Sequence, residues 1–149
     1  MDKEKYLEVY RHSLAHILAK AVIELYGKDV QYAIGPQIAD GFYYDFGLPE
    51  GVSIQESDFR KIEDKMREII KRREDWTVKE VSKQEALDLF KDQKYKTELI
   101  KDLPEGEKIT IYWTGDDYVD LCRGPHVDNS QELMSAAFEI RSVSGAYWR

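Results

Sequence analysis

Cysteine occurs once in these 149 residues, so no disulfide can form within the chain, and histidine occurs only three times. No apolar run approaches the roughly 20 residues needed to span a bilayer, which excludes a transmembrane helix as a reading of the sequence. The opening Met-Asp-Lys-Glu-Lys is too charged to start a secretory signal, so the expected compartment is the cytoplasm, with no membrane partner. Proline is sparse, at four residues, and neither a repeat nor a low-complexity linker marks a boundary, so a single compact domain over 1–149 is expected. Positive charge is not in excess: 22 Lys and Arg against 29 Asp and Glu leave a net charge of −7, which argues against autonomous, non-specific nucleic-acid binding. Basic residues do cluster at Lys61, Lys65, Arg67, Lys71, Arg72 and Arg73, and again at Lys91, Lys94, Lys96 and Lys101, a pattern that also fits solvated helix faces. With 42% apolar and 34% charged residues the balance is that of a globular chain.

The periodicity predicts a helix over 5–26 with one buried stripe through Leu7, Tyr10, Leu14, Ile17, Leu18, Ala21 and Leu25, ended by Gly27. Short strands are predicted over 30–34 and 41–46. A capping box of Ser53 and Glu56 opens a long helix to about position 73, with Phe59, Ile62, Met66 and Ile69 inward. A strand over 76–81 precedes a second capping box, Ser82 with Glu85, and a helix to about position 90; a further helix covers 95–101. Residues 108–114 and 118–121 read as a hairpin turning at Gly115-Asp116, and 138–143 as a last strand. Helices and strands mix without regular alternation, which predicts α+β: a mixed, mainly antiparallel sheet backed by helices.

All three histidines and the cysteine fall in two short motifs, His12-Ser-Leu-Ala-His16 and Cys122-Arg-Gly-Pro-His126. Residues four apart on a helix are neighbours, so His12 and His16 can aim at one point, on the side away from Leu14. Gly124 and Pro125 can bend the second motif to bring a thiol and a third imidazole there. Such a set either holds a transition metal, with zinc the natural choice for one Cys and three His, or positions and activates a water. Asp120 lies two residues before Cys122, so on a strand both point to one face. Lys96 looks like surface from its spacing. Tyr43 and Tyr44 alternate, so one packs in the core and the other lines a surface or cleft.

Six segments carry a resemblance: His12 to His16, Ala33-Ile-Gly-Pro36, Asp40-Gly-Phe-Tyr-Tyr-Asp45, Tyr95-Lys-Thr-Glu98, Tyr118-Val-Asp-Leu-Cys-Arg-Gly-Pro-His126 and Gly145-Ala-Tyr-Trp-Arg149. In order and over nearly the whole chain, they resemble the N-terminal editing domain of threonyl-tRNA synthetase. The related alanyl-tRNA synthetase editing domain shares the spacings, yet reads Cys-Gly-Gly-Thr-His where this chain has Cys-Arg-Gly-Pro-His.

The resemblance implies hydrolysis of serine mischarged onto tRNA(Thr), with threonyl-tRNA(Thr) spared. A missing methyl is worth only about 1–3 kcal/mol in binding, so a second, smaller sieve is needed. By motif, His12, His16, Tyr44, Lys96, Asp120, Cys122 and His126 would form the cleft. His12 and Lys96 are the expected catalytic pair, His12 handling the attacking water and Lys96 the developing charge or leaving oxygen. Asp120 would hold the serine ammonium, with His16, Tyr44, Cys122 and His126 shaping the pocket. No required metal is expected, since Lys96 offers positive charge; the alternatives are a zinc-dependent deacylase like the free-standing alanyl editing proteins, with zinc on His12, His16, Cys122 and His126, and a non-catalytic tRNA-binding or structural-metal module. The family's ATP-using ligase core does not fit within this length, so an excised domain is expected, with the tRNA(Thr) acceptor end and the rest of a synthetase as partners.

Overall fold

The computed structural model describes residues 3–35, 37–38, 41–122 and 124–142. Pro36, Asp40, Arg123 and residues 143–149, which belong to segments quoted above, lie outside these.

Helix α1 (Lys3–Tyr26) is the axis of the molecule. Instead of the single predicted stripe, it buries almost everything from Ser13 to Val22, because it is packed from two sides. Leu14, Ile17 and Ala21 join one core with α2, while Ala15 and Ala19 join a second with the main sheet and α4. The small alanines let the sheet approach the helix closely, so the face carrying His16 becomes an interior wall. Gly27 ends α1 in the left-handed region, φ +103°, with its N–H returned to Ile23 O at 2.8 Å.

A bent antiparallel ribbon follows. Strand β1 (Gln31–Tyr32) pairs with β4 (Phe46–Gly47), and β2 (Gln37–Ile38) pairs with β3 (Gly41–Phe42). The strand expected over 41–46 is thus two pieces, interrupted where Tyr44 turns its ring beneath the backbone of Gly35. A Cβ on Gly35 would collide with that ring. Tyr44 is buried and Tyr43 exposed.

The Ser53 cap does not form. Instead, Gln55 N–H donates to Asp58 Oδ2 at 2.9 Å, a 3-10 turn (Glu56–Asp58) intervenes, and α2 (Phe59–Lys71) starts later and ends earlier than predicted. Arg73, with φ +56°, turns the chain into the next strand. Ile62, Met66, Ile69 and Ile70 pack inward. The basic residues of this helix meet acidic partners one turn away, Lys65 with Glu68 at 3.0 Å and Arg72 with Glu68 at 3.3 Å, and Arg72 also grips Glu24 at 2.7 Å. The first basic cluster is therefore largely neutralised.

Strand β5 (Trp76–Val81), helix α3 (Lys83–Leu89) with its Ser82–Glu85 box, and helix α4 (Lys94–Lys101) fall where periodicity puts them. The main sheet has the order β5-β6-β7, all antiparallel, with β6 (Ile109–Thr114) and β7 (Tyr118–Leu121) forming the hairpin. The last predicted strand is absent from the described part of 138–143. Ile140 N–H donates to Glu63 Oε2 at 2.7 Å, and the Arg67 guanidinium lies over the Phe138 ring at 4.8 Å, so side chains of α2 take up this segment instead of a sheet partner. A 3-10 turn (Ser130–Leu133) precedes it, unanticipated by the apolar pattern. The architecture is α+β, a single compact domain. No helix among the described residues is long and apolar enough to cross a membrane.

Candidate functional site

The two motifs meet. Cys122 Sγ lies 3.2 Å from His12 Nε2 and 3.8 Å from His126 Nε2, and His126 Nε2 lies 3.3 Å from His16 Nε2. One ligand atom from each of the four residues falls within 4.8 Å of the others.

Helical spacing supplies the first pair, and Ser13 between them supplies the link to the second. Ser13, fully buried, donates to Val9 O at 2.8 Å and accepts from Val127 N–H at 3.0 Å, tying α1 to the residue after His126. Gly124, at φ +68°, lets the loop turn beside Tyr112, whose hydroxyl a Cβ there would strike. Its N–H donates to Cys122 Sγ at 3.2 Å. The His126 ring is held between the edge-on ring of Tyr112, 4.3 Å away, and the parallel ring of Trp76, 6.2 Å away.

Behind the histidines sits a buried charge network. Lys96 and Asp120 form an ion pair with each side chain 2% exposed. Tyr44 donates to Asp120 Oδ2, Tyr118 donates to the same oxygen at 2.8 Å, and Leu121 N–H donates to Oδ1 at 2.7 Å. Lys96 Nζ also donates to the Tyr44 hydroxyl at 3.3 Å and lies over the Tyr32 ring at 5.2 Å. His16 Nε2 is 3.5 Å from Asp120 Oδ2, which joins the network to the Cys/His group. The surface position that spacing suggests for Lys96 is therefore overturned: α4 turns Lys96 and Ile100, four apart, inward together.

Burial keeps the imidazoles neutral. It pulls His12 below the usual histidine range against the opposing pull of Asp120, and it holds His16 well below, helped by His12 and Lys96. His126 is likewise depressed by burial and by the other two rings. Burial, reinforced by Asp120, pushes Tyr44 and Tyr118 upward, so both stay protonated as donors. Neutral imidazoles are bases and ligands; protonated phenols are donors to a carboxylate.

The Cys/His group is able to hold a metal. Tetrahedral zinc, with bonds of about 2.0–2.1 Å to nitrogen and about 2.3 Å to sulfur, needs ligand separations of about 3.3–3.6 Å. Separations of 3.2, 3.3 and 3.8 Å lie near that requirement, but the set as a whole spreads over up to 4.8 Å, so four-fold ligation requires the side chains to draw together. His16 and His126 keep Nδ1 buried with no hydrogen-bond partner among the described residues, so the outer contacts that usually orient metal-bound imidazoles are not provided there.

Residues 109–146 match the family described as the threonyl and alanyl tRNA synthetase second additional domain. A threonine-tRNA ligase of Thermotoga maritima is 52% identical over 143 residues, 95% of this chain and 22% of that protein. The chain is homologous to a segment of the threonyl-tRNA synthetases. A threonine-tRNA ligase of Borrelia duttonii is 46% identical over 149 residues, all of this chain and 25% of that protein. The chain thus spans about a quarter or less of the length of these synthetases.

Among the site neighbours that escaped the sequence reading are Ser13, Tyr112 and Tyr118, and Trp76 and Tyr32 with them. Tyr118 and Tyr112 had a signal. Tyr118, Asp120 and Cys122 share one strand face by alternation, and the hairpin register puts Tyr112 opposite Asp120. Ser13 had none, because its role depends on where Val127 arrives.

Proposed function

We propose that this cleft hydrolyses the ester linking serine to tRNA(Thr), removing mischarged serine while sparing threonyl-tRNA(Thr). The observation that carries this reading is the contact of a half-buried neutral imidazole, His12, with a thiol and two further imidazoles, backed by a buried lysine charge.

His12 takes a proton from water as the oxygen attacks the ester carbonyl, then returns it to the departing ribose oxygen. Lys96 supplies a fixed positive charge that favours the negative charge developing on the carbonyl oxygen, held in a site of low dielectric where such charge counts most. Asp120 serves as the tether of Lys96: its oxygens already accept from Tyr44, Tyr118, Lys96 and Leu121 N–H, so a serine ammonium would have to displace one of them. His16, Cys122 and His126 form the walls of a pocket tight enough to disfavour the extra methyl of threonine, with Tyr44 behind them. The tRNA acceptor end is the partner this chemistry requires, and in a full synthetase the ATP-dependent ligation belongs to a separate core.

Deacylation of seryl-tRNA(Thr) and threonyl-tRNA(Thr) by the purified chain tests the reading. Rapid loss of serine with threonine released at the uncatalysed rate is expected; equal rates for both, or none, would remove it.

The clustering of one thiol and three imidazoles supports a second reading, zinc on His12, His16, Cys122 and His126, where the ion would polarise the carbonyl or lower the pKa of a bound water. Elemental analysis and activity after chelation separate the two. Full activity in metal-free protein is expected here, and loss restored by zinc would favour the alternative.

A further inference from the structure

We infer that Tyr118 is a positioning residue for the hydrolytic site, acting through the Asp120 carboxylate, an inference that rests on the function proposed above. Asp120 is held from three elements: Tyr44 comes from the bent ribbon, Lys96 from α4, and Tyr118 from its own strand β7, two residues earlier. Each carboxylate oxygen takes two donors. Oδ1 receives Lys96 Nζ and Leu121 N–H, and Oδ2 receives the Tyr44 and Tyr118 hydroxyls.

This division fixes the plane of the carboxylate, and with it the direction in which Lys96 presents its charge and the 3.5 Å approach of His16 Nε2 to Oδ2. Remove the Tyr118 hydroxyl and Oδ2 keeps a single donor, so the carboxylate can rotate toward Tyr44 and carry Lys96 with it. Tyr118 also stands edge-on to His16, with ring centroids 5.8 Å apart and planes at 86°, and its other side rests on Tyr32 at 5.5 Å. It is buried behind Asp120, and its influence on the reaction passes through Asp120, the neighbouring Tyr44 hydroxyl and His16.

Ser82 provides the control. Its hydroxyl caps α3 by accepting from Glu85 N–H at 3.2 Å, remote from the Asp120 network. The experiment compares Tyr118→Phe, Ser82→Ala and the unaltered chain in seryl-tRNA(Thr) deacylation, thermal melting and nitrogen NMR of the histidine rings. Loss of one hydrogen bond to a charged group is expected to lower kcat about tenfold or more in Tyr118→Phe, with KM within about twofold and the His16 resonances displaced. Ser82→Ala is expected to lower the melting temperature, through loss of the helix cap, with kcat and the His16 resonances unchanged. 4-Aminophenylalanine placed at position 118 keeps the ring and a donor, and is expected to restore kcat to within about threefold. It also serves as the second variant should Tyr118→Phe not fold.

Unchanged kcat and unchanged His16 resonances in a folded Tyr118→Phe protein would overturn the inference, leaving only a packing role. Failure of the unaltered chain to cleave the ester would instead remove the proposed function, and the His16 resonances would then decide the role of Tyr118 alone.

Discussion

His12 is placed differently from its two fellow histidines. It is the least buried of the three, it lies nearer the thiol than His126 does, and burial depresses it less than His16, so it combines access to solvent with a neutral ring. A general base needs both properties. His12→Ala is expected to lower kcat for seryl-tRNA(Thr) deacylation by about 10²–10⁴-fold, with a melting temperature close to that of the unaltered chain. A rate near the original would remove His12 from the chemistry. Lys96→Met is a different case, because it strips the buried Asp120 of its counter-charge. Breaking a buried pair in this way costs about 3–5 kcal/mol of stability, so both folding and catalysis are expected to suffer, and calorimetry alongside kinetics separates the two losses.

Among the elements, α1 carries the most constraint. It is packed by α2 on one side and by the sheet side on the other, and its Ser13 hydroxyl staples it to the chain segment that delivers His126. Ser13→Ala leaves the buried Val127 N–H without a partner, which costs about 1–3 kcal/mol, and frees His126 to drift from His16. Reduced melting temperature together with reduced kcat is the expected result. A stability loss with unaltered kcat would mean that Trp76 and Tyr112 hold His126 without the staple.

For the whole molecule the consequence is a dependence on acid. Three imidazoles are kept neutral in the folded protein, whereas in the unfolded chain each takes a proton near its ordinary pKa of about 6.5. Because the folded values are depressed, the unfolded state binds more protons as pH falls below about 6.5, and stability drops in that direction. It is fully present above that pH. Each fully buried histidine contributes a slope of about 1.4 kcal/mol per pH unit until its folded form also protonates. The melting temperature is therefore expected to fall steeply between pH 6.5 and 5.5 while changing little from pH 8 to 7, as followed by circular dichroism. An unvarying melting temperature down to pH 5.5 would show that the rings are solvated.

Much of this was readable in the order of residues. Periods of 3.6 and 2 located α1, β5, α3, α4 and the β6–β7 hairpin, because each such element satisfies its own backbone and advertises its buried side locally. Confinement of every histidine and the cysteine to two motifs pointed to one shared cluster, since these side chains are few and costly to bury without use. Other features required contacts between distant segments. Lys96 has the spacing of a surface residue and is buried only because Asp120 and Tyr44 arrive from elsewhere to neutralise and bond it. The strand predicted at 138–143 is absent from the described residues because Glu63 and Arg67 of α2 engage its backbone and ring first. Local pattern is set by bonds within a segment; the pairing of buried charges and the partners of isolated strands are set by which segments meet.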